Sequence, residues 1–551
     1  MLCLRFSLPP ILQPVSFAPA TAAAACRPAA CRHLSSVSPL DVFLNDMSSL
    51  NHEASGVPRN AATDCANERF PLKRVDDLLR HLGNPQNRMH AVHVVGSKGK
   101  GSCASLLARV FAASGHVNVG LYTSPHVLAL SERVRVLTNQ DDDGDVGDAA
   151  LLRAFETYAP AVRTAQEEAG GAITRFEVLT CLALRYFADA NVRVAVMEAG
   201  LGGVSDATNV FGGGRGQRND GDGDGDVARA NRVLGVLCTH VSNEHASALG
   251  GSLASVCKSK ASIAASGRPF VVARQTERGV RGALVETAEA AGARVHTAGT
   301  LIPSDSNPTA RHGFVYTAPD GRREVENVQI PTRLRYAPAS HTNIEAVLAL
   351  ALAIRSQNGD VFEGQGKLGI DLAQILSNEM FVRGIAHWTP PRGRGEVLEG
   401  RDDWPVVVVD GAHTPESVSQ AIEAVRNRRL AEAARENPDV LPSSIRVAAV
   451  VALMNDKDAS GIMDVLHASR LNRVVFSSSS VNGDSSRFHA PKALYDLYNK
   501  PEESTWCDGG VVSAMRNAAN CVGRDGSIVV LGSFYAGADA MRAWFSDDSD
   551  M

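Results

Sequence analysis

A short run of glycine, lysine and serine at residues 96–102 constrains the fold of this chain more than any other part of its sequence. It follows the apolar stretch 91–95 and precedes the helix-like stretch 103–113. A strand, a glycine-rich turn and a helix N-terminus form an anion cradle, because glycines let backbone N–H groups approach closely and the helix dipole favours negative charge. A lysine in such a turn reaches terminal phosphates. The run therefore predicts an α/β fold that binds a nucleoside triphosphate.

The run is similar to the Walker A motif of P-loop proteins but departs from it twice. Gly101 separates Lys100 from Ser102, whereas the motif has Ser or Thr directly after Gly-Lys. Valine occupies position 94, where the motif has its first glycine. These departures disfavour a P-loop kinase. A glycine-rich turn without a ligand stays open, but two lysines and a serine in such a turn favour a bound anion.

Composition limits the class of protein. A length of 551 residues suggests two domains with additional segments. A net charge of −5 without a basic block argues against a nucleic-acid partner. No apolar run reaches about 18 residues, so no membrane-spanning helix is expected. The ten cysteines form no C-x-x-C, which favours reduced thiols over disulfides or a zinc site.

The first forty residues have the composition of an organelle transit peptide. They contain arginines, serines and many alanines, and the first acidic residue of the chain is Asp41. We therefore predict a transit peptide over residues 1–40. Arg32 lies three residues before Ser35, as in a mitochondrial processing site, and a basic leader responds to a negative-inside membrane potential. We expect the mitochondrial matrix; a plastid address, or an extension without an address on a cytosolic protein, stays open.

Strands alternate with helices along two stretches of the chain, which predicts two α/β units with mostly parallel sheets. The first has a helix at 176–188 and strands at 117–122, 192–197, 233–239 and 270–273. The second follows an apolar helix at 339–355 and has strands at 406–409, 447–453, 474–476 and 528–531. We place the domains at 50–388 and 389–551, joined by a Pro/Gly-rich connector. Ligands of such sheets bind at the carboxyl ends of the strands.

Two acidic, glycine-rich insertions at 140–148 and 212–226 interrupt the first domain. Their composition predicts solvated, disordered loops. The second insertion is similar to the start of an EF-hand calcium loop, but its twelfth position is Asn231 instead of glutamate. Calcium binding is therefore disfavoured.

Polar side chains follow three of the strands that end near the glycine-rich turn. A hydroxyl (Ser124), a carboxylate (Glu198) and an imidazole (His245) are placed to meet beside a triphosphate. Magnesium needs few protein ligands, because it keeps several waters and also binds phosphate oxygens, although histidine is one of its less usual ligands. Each side chain alone also fits a structural role. Their joint placement predicts a magnesium site.

The segments together resemble the dihydrofolate synthase/folylpolyglutamate synthase family, within the Mur-type ATP-dependent amide ligases. The similarity covers roughly residues 50–545 and is carried by 93–102, 120–135, 176–184, 198–210, 244–260, 408–417, 451–458 and 529–534. Residues 51–58 and 244–253 are most similar to the monofunctional, plant-type dihydrofolate synthases. The resemblance implies an N-terminal P-loop-like ATPase domain with a parallel sheet and a smaller, Rossmann-like C-terminal α/β domain.

The resemblance also implies roles for individual residues. The expected magnesium ligands are Ser124, Glu198 and His245, and the residues expected to bind ATP are Gly99, Lys100, Gly101, Ser102, Arg394, Asp410 and His413. Lys100, Lys260 and His245 are the expected catalytic residues. Lys260 matches a lysine that the family carbamylates with CO₂, which turns a cation into an anion that orients magnesium. The pterin substrate is expected to contact Thr174, Arg175, Phe176 and Glu177.

The implied activity is that of an ATP-dependent acid–amino-acid ligase. A carboxylate of dihydropteroate becomes an acyl phosphate, which the amine of L-glutamate attacks to give dihydrofolate. The alternative is a folylpolyglutamate synthase that adds glutamates to tetrahydrofolate, and a nucleotide-binding protein without ligase activity stays open. We expect a monomer with small-molecule partners only, namely ATP, dihydropteroate and L-glutamate, and with neither nucleic acid nor a membrane.

Four positions depart from the family pattern. Ser97 and Lys98 replace the usual Thr-Asn of the phosphate loop, and Thr414 replaces an asparagine after Asp-Gly-Ala-His. Glu345 replaces an asparagine that helps to hold the nucleotide, and Asn343 is the candidate to take over that contact.

Overall fold

The computed structural model of the chain describes residues 38–48, 72–139, 143–212, 232–302, 311–331, 334, 338–357, 371–398, 401, 403–437, 439–480 and 484–546. The predicted leader up to residue 37, the segment 51–58 and most of the insertion 212–226 lie outside these residues.

A seven-stranded sheet forms the first part of the fold. Its strands are β1 (His90–Val95), β2 (Val119–Tyr122), β3 (Val134–Leu137), β4 (Val194–Glu198), β5 (Val233–Cys238), β6 (Pro269–Val272) and β7 (Arg294–Thr297). They lie in the order β3-β2-β4-β1-β5-β6-β7, and all neighbours pair in parallel except β2 and β3. The central strands are rich in valine and fully buried, as is typical of parallel sheets covered on both faces.

Helices cover both faces of this sheet. Side chains alternate along β1, so Ala91 and Val95 pack into one core and Val92 and Val94 into the other. The helices are α1 (Pro39–Met47), α2 (Leu72–His81), α3 (Lys100–Ala112), α4 (Asp148–Glu156), α5 (Ala159–Glu168), α6 (Arg175–Asp189), α7 (Leu253–Ala261), α8 (Val280–Ala290), α9 (Pro338–Arg355), α10 (Leu372–Ile375) and α11 (Asn378–His387). Helices α3, α9 and α11 supply the second core, and α1, α2 and α6 belong to the first.

A small antiparallel sheet, which the sequence pattern does not predict, packs against α9. Its strands are β8 (Thr300–Ile302), β9 (Arg311–Thr317) and β10 (Arg323–Gln329), in the order β10-β9-β8. Phe314 and Tyr316 of β9 are buried in the core that α9 shares with the large sheet. The carboxylate of Glu345 in α9 accepts a hydrogen bond from the Leu301 amide of β8 at 2.9 Å.

A six-stranded sheet forms the second part of the fold. Its strands are β11 (Arg394–Leu398), β12 (Val406–Asp410), β13 (Val447–Val451), β14 (Arg473–Phe476), β15 (Ser504–Trp506) and β16 (Ser527–Leu531), in the order β11-β12-β16-β13-β14-β15. Only β11 is antiparallel to its neighbour among these strands. Its helices are α12 (Pro415–Glu436), α13 (Ala459–Ala468), α14 (Pro491–Tyr498), α15 (Gly510–Val522) and α16 (Phe534–Phe545).

The predicted fold class, two mostly parallel α/β units in succession, is confirmed. The chain crosses between the sheets at residues 388–393, between α11 and β11, where the sequence predicts the connector. Trp388 anchors this crossing: its ring is buried, and its indole N–H donates to the Ser105 hydroxyl at 2.8 Å. Among the residues that the structure describes, no helix has the length and apolar character needed to cross a membrane.

The first acidic insertion is ordered in its second half, so the expectation of a disordered loop at 140–148 is wrong for residues 143–148. Asp145 forms a β-bridge with Arg135, and the Asp148 carboxylate accepts a hydrogen bond from the Ser131 amide at 2.8 Å. Asp148 also begins α4, where an acidic side chain is favoured by the helix dipole. Local composition did not reveal these partners because they lie on a neighbouring strand and turn.

The last two residues of the predicted leader, Pro39 and Leu40, belong to helix α1. Ser38 caps the helix by accepting a hydrogen bond from the Asp41 amide at 3.1 Å, and Pro39 occupies the first turn. Leu40 and Leu44 are fully buried in the first core. The folded part of the chain therefore includes Leu40, and a cleaved leader is compatible with this core only if it ends before Ser38.

Replacing Leu40 tests whether α1 belongs to the folded part. Leu40→Ala should lower the free energy of unfolding by about 2–5 kcal/mol, because it leaves a cavity in a packed core. Val42→Ala on the same helix is the control, since Val42 is 56% exposed and should change stability by less than about 0.5 kcal/mol. Denaturant unfolding measures both, and equal effects of the two changes would contradict the assignment.

Candidate active site

The predicted site residues of the first domain lie at the carboxyl edge of the large sheet, around the N-terminus of α3. The turn from β1 to α3 requires glycine at two positions, because Gly96 has φ +143° and Gly99 has φ +85°. A Cβ on Gly96 would lie 1.9 Å from the Thr239 hydroxyl oxygen, and one on Gly99 would lie 2.7 Å from Asn343 Oδ1. The turn is therefore packed between the segment after β5 and helix α9.

Hydrogen bonds hold this turn in place. The amides of Ser97 and Lys98 both donate to the His240 carbonyl, at 2.8 and 3.1 Å. Helix α3 begins at Lys100, and the Gly99 before it has no side chain to cap the first N–H groups. Such uncapped N–H groups at a helix N-terminus form a ready anion site. The Lys100 ammonium lies 3.4 Å from the Ser97 carbonyl, beside those N–H groups.

A buried carboxylate faces the first turn of α3. Glu198, at the end of β4, is 2% exposed, and a Cβ on Gly101 would lie 3.2 Å from its Oε2. The Ser124 amide donates to the same oxygen at 3.0 Å. Burial raises the pKa of Glu198, while the charges of Lys100 and Arg394 act in the opposite direction. The structure thus brings Ser124, Glu198 and Lys100 together, as the sequence predicts.

Lys260 contacts the turn between β1 and α3 (residues 96–99, the phosphate turn) from helix α7. It belongs to α7, is buried, and its ammonium donates to the Gly96 carbonyl at 2.7 Å. Burial, together with the charge of Lys100, lowers the pKa of Lys260 to about 8. An amine with this pKa is partly neutral near pH 8, and only a neutral amine reacts with CO₂.

His245 lies in the loop after β5, its Nε2 is 3.9 Å from the Glu244 carboxylate, and the structure does not show it in contact with Glu198 or Ser124. Its backbone has φ +60°, a left-handed conformation that residues other than glycine adopt rarely. Its side chain is 46% exposed. Burial lowers the pKa of His245, as do Lys100 and Lys260, whereas Glu244 acts in the opposite direction. The third predicted magnesium ligand is therefore near the site but apart from the other two.

The second domain brings its predicted nucleotide residues to the same place. Arg394 lies opposite Asp410 on the paired strands β11 and β12, and its guanidinium stacks 4.4 Å from the Phe534 ring. The Asp410 carboxylate accepts the Ala412 amide at 2.8 Å. Burial raises the pKa of Asp410, against the charge of Arg394. Arg394 also acts on the pKa of Glu198, so the two domains share one electrostatic site.

His413 joins the domains through Glu244, a residue whose role the sequence did not reveal. His413 Nδ1 lies 2.7 Å from the Gly411 carbonyl, and Nε2 lies 3.2 Å from the Glu244 carboxylate. Burial raises the pKa of Glu244, but the hydrogen bond and charge of His413 hold it well below its ordinary value. The only signal in the sequence is that Glu244 precedes His245 in the family-like segment.

The four residues expected to contact a pterin mostly have partners within the protein. Thr174 and Glu177 form a capping box at the start of α6, and Glu177 also pairs with Arg74 at 2.9 Å. Arg175 pairs with Asp41 of α1. The Phe176 ring packs so closely on Gly200, in the loop after β4, that a Cβ there would lie 2.6 Å away. Substrate binding by these residues stays a prediction, and Phe176 lies nearest the loop that follows Glu198.

The donor set fits magnesium better than a metal that needs a complete protein cage. Across the described residues, no three His, Cys, Asp or Glu side chains are grouped to hold a metal ion. Magnesium is commonly held by one or two carboxylates with waters and phosphates. The Glu198 carboxylate, whose Oε2 lies 3.0 Å from the Ser124 amide nitrogen, is compatible with such a partial site beside the anion cradle.

Two residues of α9 bear on the position where Glu345 replaces the family's nucleotide-binding asparagine. Glu345 is buried against the small sheet, where its carboxylate accepts a hydrogen bond from the Leu301 amide and pairs with Arg274 at 3.7 Å. Asn343 instead faces the phosphate turn, and its Oδ1 lies 3.4 Å from Cys103 Sγ in α3. Asn343 is therefore the α9 side chain that lies against Gly99, in line with the expectation that it replaces the missing asparagine.

No protein-family model matches this chain. The chain is 31% identical over 409 residues to a folylpolyglutamate synthase of Lacticaseibacillus casei, a match that covers 72% of this chain and 78% of that protein. It is 27% identical over 485 residues to a probable dihydrofolate synthetase of Schizosaccharomyces pombe, covering 86% and 97% of the two chains.

The fold is also that of solved structures. A bifunctional folylpolyglutamate synthase/dihydrofolate synthase of Yersinia pestis, complexed with AMPPNP and an Mn ion, superposes with a TM-score of 0.63 at 21% identity, covering 92% of this chain and 98% of that one. At that identity the likeness establishes the fold alone, and the sequence match to the Lacticaseibacillus protein carries the assignment. This chain therefore belongs to the dihydrofolate synthase/folylpolyglutamate synthase family of ATP-dependent ligases.

Proposed function

We propose that this protein joins L-glutamate to 7,8-dihydropteroate at the expense of ATP, forming dihydrofolate. One observation carries the proposal: Lys100, Glu198 and Lys260 surround the uncapped N-terminus of α3, and Arg394 faces it from the second domain. This arrangement suits a triphosphate whose terminal group is transferred. The match to the Schizosaccharomyces protein, a probable dihydrofolate synthetase, supports dihydropteroate as the acceptor. The resemblance to plant-type dihydrofolate synthases that the sequence of residues 244–253 suggests points to the same acceptor.

Folylpolyglutamate synthesis is the second candidate. The relative from Lacticaseibacillus is named for that activity, and the Yersinia protein is described as having both. The bond formed is the same, and only the acid that receives glutamate differs.

The chemistry requires an activated acid, because a carboxylate oxygen is a poor leaving group. A carboxylate oxygen of the acceptor attacks the γ-phosphorus of ATP, and ADP departs. The glutamate amine then attacks the acyl carbon, loses a proton, and expels inorganic phosphate as the amide forms. The N–H groups of α3 and the Lys100 ammonium bind the phosphates and neutralise the charge that develops during transfer. Lys100 is free to do so because its present contact with the Ser97 carbonyl is long, at 3.4 Å.

Magnesium is the proposed metal, and Glu198 and Ser124 would hold it. Its positive charge would help to neutralise the charge of the nucleotide phosphates. The Mn ion and AMPPNP in the Yersinia complex support a divalent cation with the nucleotide. His245 stays the proposed third ligand, and the effect of the Lys100 and Lys260 charges on its imidazole supports a role close to the phosphates.

Lys260 is proposed to carry a carbamate, formed when its neutral amine attacks CO₂ and a proton is released. The lowered pKa, about 8, supports this reaction because it supplies neutral amine near physiological pH. The carbamate would replace a buried cation by an anion close to Lys100, which reduces the repulsion between the two lysines.

Water must be kept from the acyl phosphate until glutamate arrives. The contact between Glu244 and His413 draws the second domain over the phosphate turn, which supports closure of the two domains around the intermediate.

We further propose a monomer in the mitochondrial matrix, with a plastid or the cytosol as alternatives, on the basis of the first forty residues and the composition alone.

Lys100→Ala should abolish ATP-dependent ligation with little change in stability, because Lys100 is partly exposed and makes one long contact. We expect kcat to fall by about 100-fold or more, as for loss of a group that stabilises transferred charge. Arg109→Ala, on a later turn of the same helix, is a matched control for removal of a cation. Ligation at the wild-type rate in Lys100→Ala would refute the cradle assignment.

The acceptor is identified by steady-state kinetics with ATP, L-glutamate and either dihydropteroate or tetrahydrofolate. The proposal predicts that kcat/KM for dihydropteroate exceeds that for tetrahydrofolate by more than about tenfold, a difference of 1.4 kcal/mol in transition-state binding. Product mass identifies dihydrofolate. A preference for tetrahydrofolate, with growth of a glutamate chain, would establish the second candidate instead.

Lys260→Met should abolish ligation and should change the pH dependence of stability in a defined direction. The folded pKa, about 8, lies below the ordinary value of 10.5, so the unfolded chain binds more protons between these values and stability rises with pH there. The buried ammonium costs about 3 kcal/mol at pH 7. Relative to Lys260→Met, the wild type should therefore gain about 1 kcal/mol between pH 7 and pH 9.

The measurement is denaturant unfolding of both proteins in CO₂-depleted buffer at the two pH values. Parallel changes in wild type and Lys260→Met would contradict the lowered pKa. Addition of ¹³C-bicarbonate to the wild type should then produce a carbamate signal by NMR that is absent in Lys260→Met.

A further inference from the structure

An ion pair and a histidine–carboxylate contact connect the phosphate-turn side of the first domain to the start of α12 and the turn before it. In one pair the cation belongs to the first domain: Lys98 Nζ lies 2.5 Å from Glu416 Oε2. In the other the anion does: the Glu244 carboxylate lies 3.2 Å from His413 Nε2. His413 and Glu416 are three residues apart at the start of α12. Opposite polarities at neighbouring positions favour one alignment of the two surfaces and disfavour a shifted one.

Lys98 is fixed on the first domain by its backbone. Its amide and that of Ser97 donate to the His240 carbonyl, and the Ser97 hydroxyl exchanges hydrogen bonds with Ser242 at 3.1 and 3.3 Å. The ammonium therefore extends from a rigid part of the phosphate turn. The Lys98 side chain is 24% exposed and that of Glu416 is 41% exposed, so the pair is accessible to water.

Glu416 is fixed in the same way on the second domain. It is the second residue of α12, after Pro415, and the helix start is capped by Thr414 and Ser417. A carboxylate in this position interacts favourably with the helix dipole. Burial raises the pKa of Glu416, but the hydrogen bond and charge of Lys98 hold it below its ordinary value, and His240 contributes in the same direction.

We propose that Lys98 is a positioning residue whose ion pair with Glu416 holds the second domain closed over the phosphate turn. The pair aligns the Gly411–Thr414 turn, so that His413 meets Glu244. Lys100, in contrast, remains within the turn beside the helix N-terminus, where a phosphate would bind. The two lysines of the glycine-rich run thus have different tasks: Lys100 binds the nucleotide and Lys98 binds the other domain.

The proposal predicts coupling between two residues that are 318 positions apart in the chain. Lys98→Asn and Glu416→Gln each remove one charge. Because each acts only by breaking the same pair, each should lower kcat/KM for the ligation by about two- to fivefold, and the double variant should be no worse than either one. The charge-exchanged protein, Lys98→Glu with Glu416→Lys, should recover more activity than either of its single changes. Glu423→Gln, an exposed residue of the same helix, is the control and should leave kcat/KM unchanged.

Hydrogen exchange supplies a readout that does not depend on the acceptor acid, so a wrong substrate assignment does not obscure the result. With Mg²⁺ and AMPPNP present, amides of residues 411–418 should exchange faster in Lys98→Asn and Glu416→Gln than in the wild type or Glu423→Gln. The dissociation constant of AMPPNP, measured by calorimetry, should change equally in the two single variants.

Two results would overturn the proposal. If Lys98→Asn weakens AMPPNP binding while Glu416→Gln does not, Lys98 binds the nucleotide itself. If the single effects add in the double variant, or if exchange of residues 411–418 is unchanged, the pair does not hold the domains together.

Discussion

The uncapped N-terminus of α3, at the end of the central strand, is the feature on which the rest of the site depends. Its N–H groups point into a space that contains the buried Glu198 carboxylate, the Lys100 ammonium and, beneath the turn, Lys260. Burying the charges of Glu198 and Lys260 is costly unless neighbouring charges or a ligand compensate them. The raised pKa of Glu198 and the lowered pKa of Lys260 both express that cost. A site of this kind is stabilised by binding an anionic nucleotide together with a cation.

Side chains of the second domain add to this electrostatic arrangement across the cleft. Arg394 acts on Glu198, and His413 contacts Glu244, so charges of both domains are shared across the cleft. Under the proposed mechanism, domain closure and chemistry are linked physically, because the groups that connect the domains lie beside the proposed phosphate site. Two domains joined by a short connector suit such a mechanism, since their closure would exclude water from the acyl phosphate.

Local patterns allowed much of the fold and part of the site to be predicted. The strand, glycine turn and helix around residues 96–102 are adjacent in the chain, and the carboxyl ends of parallel strands must meet, so Ser124 and Glu198 were expected to lie together. The small antiparallel sheet and the tertiary role of Glu345 could not be predicted in this way. Both depend on contacts between distant segments, such as the Leu301 amide with the Glu345 carboxylate. The capping box of Thr174 and Glu177, however, is visible in the sequence and explains why these residues are held within the protein.

The proposed mechanism requires that a γ-phosphoryl group passes to the acceptor carboxylate before the amide forms. An acceptor acid whose carboxylate carries ¹⁸O, incubated with ATP, Mg²⁺ and L-glutamate, reports on this transfer. We expect each amide formed to release inorganic phosphate with a single ¹⁸O atom, detected by the isotope shift of its ³¹P signal. Amide formation with unlabelled phosphate, or with the label in a nucleotide, would contradict the mechanism.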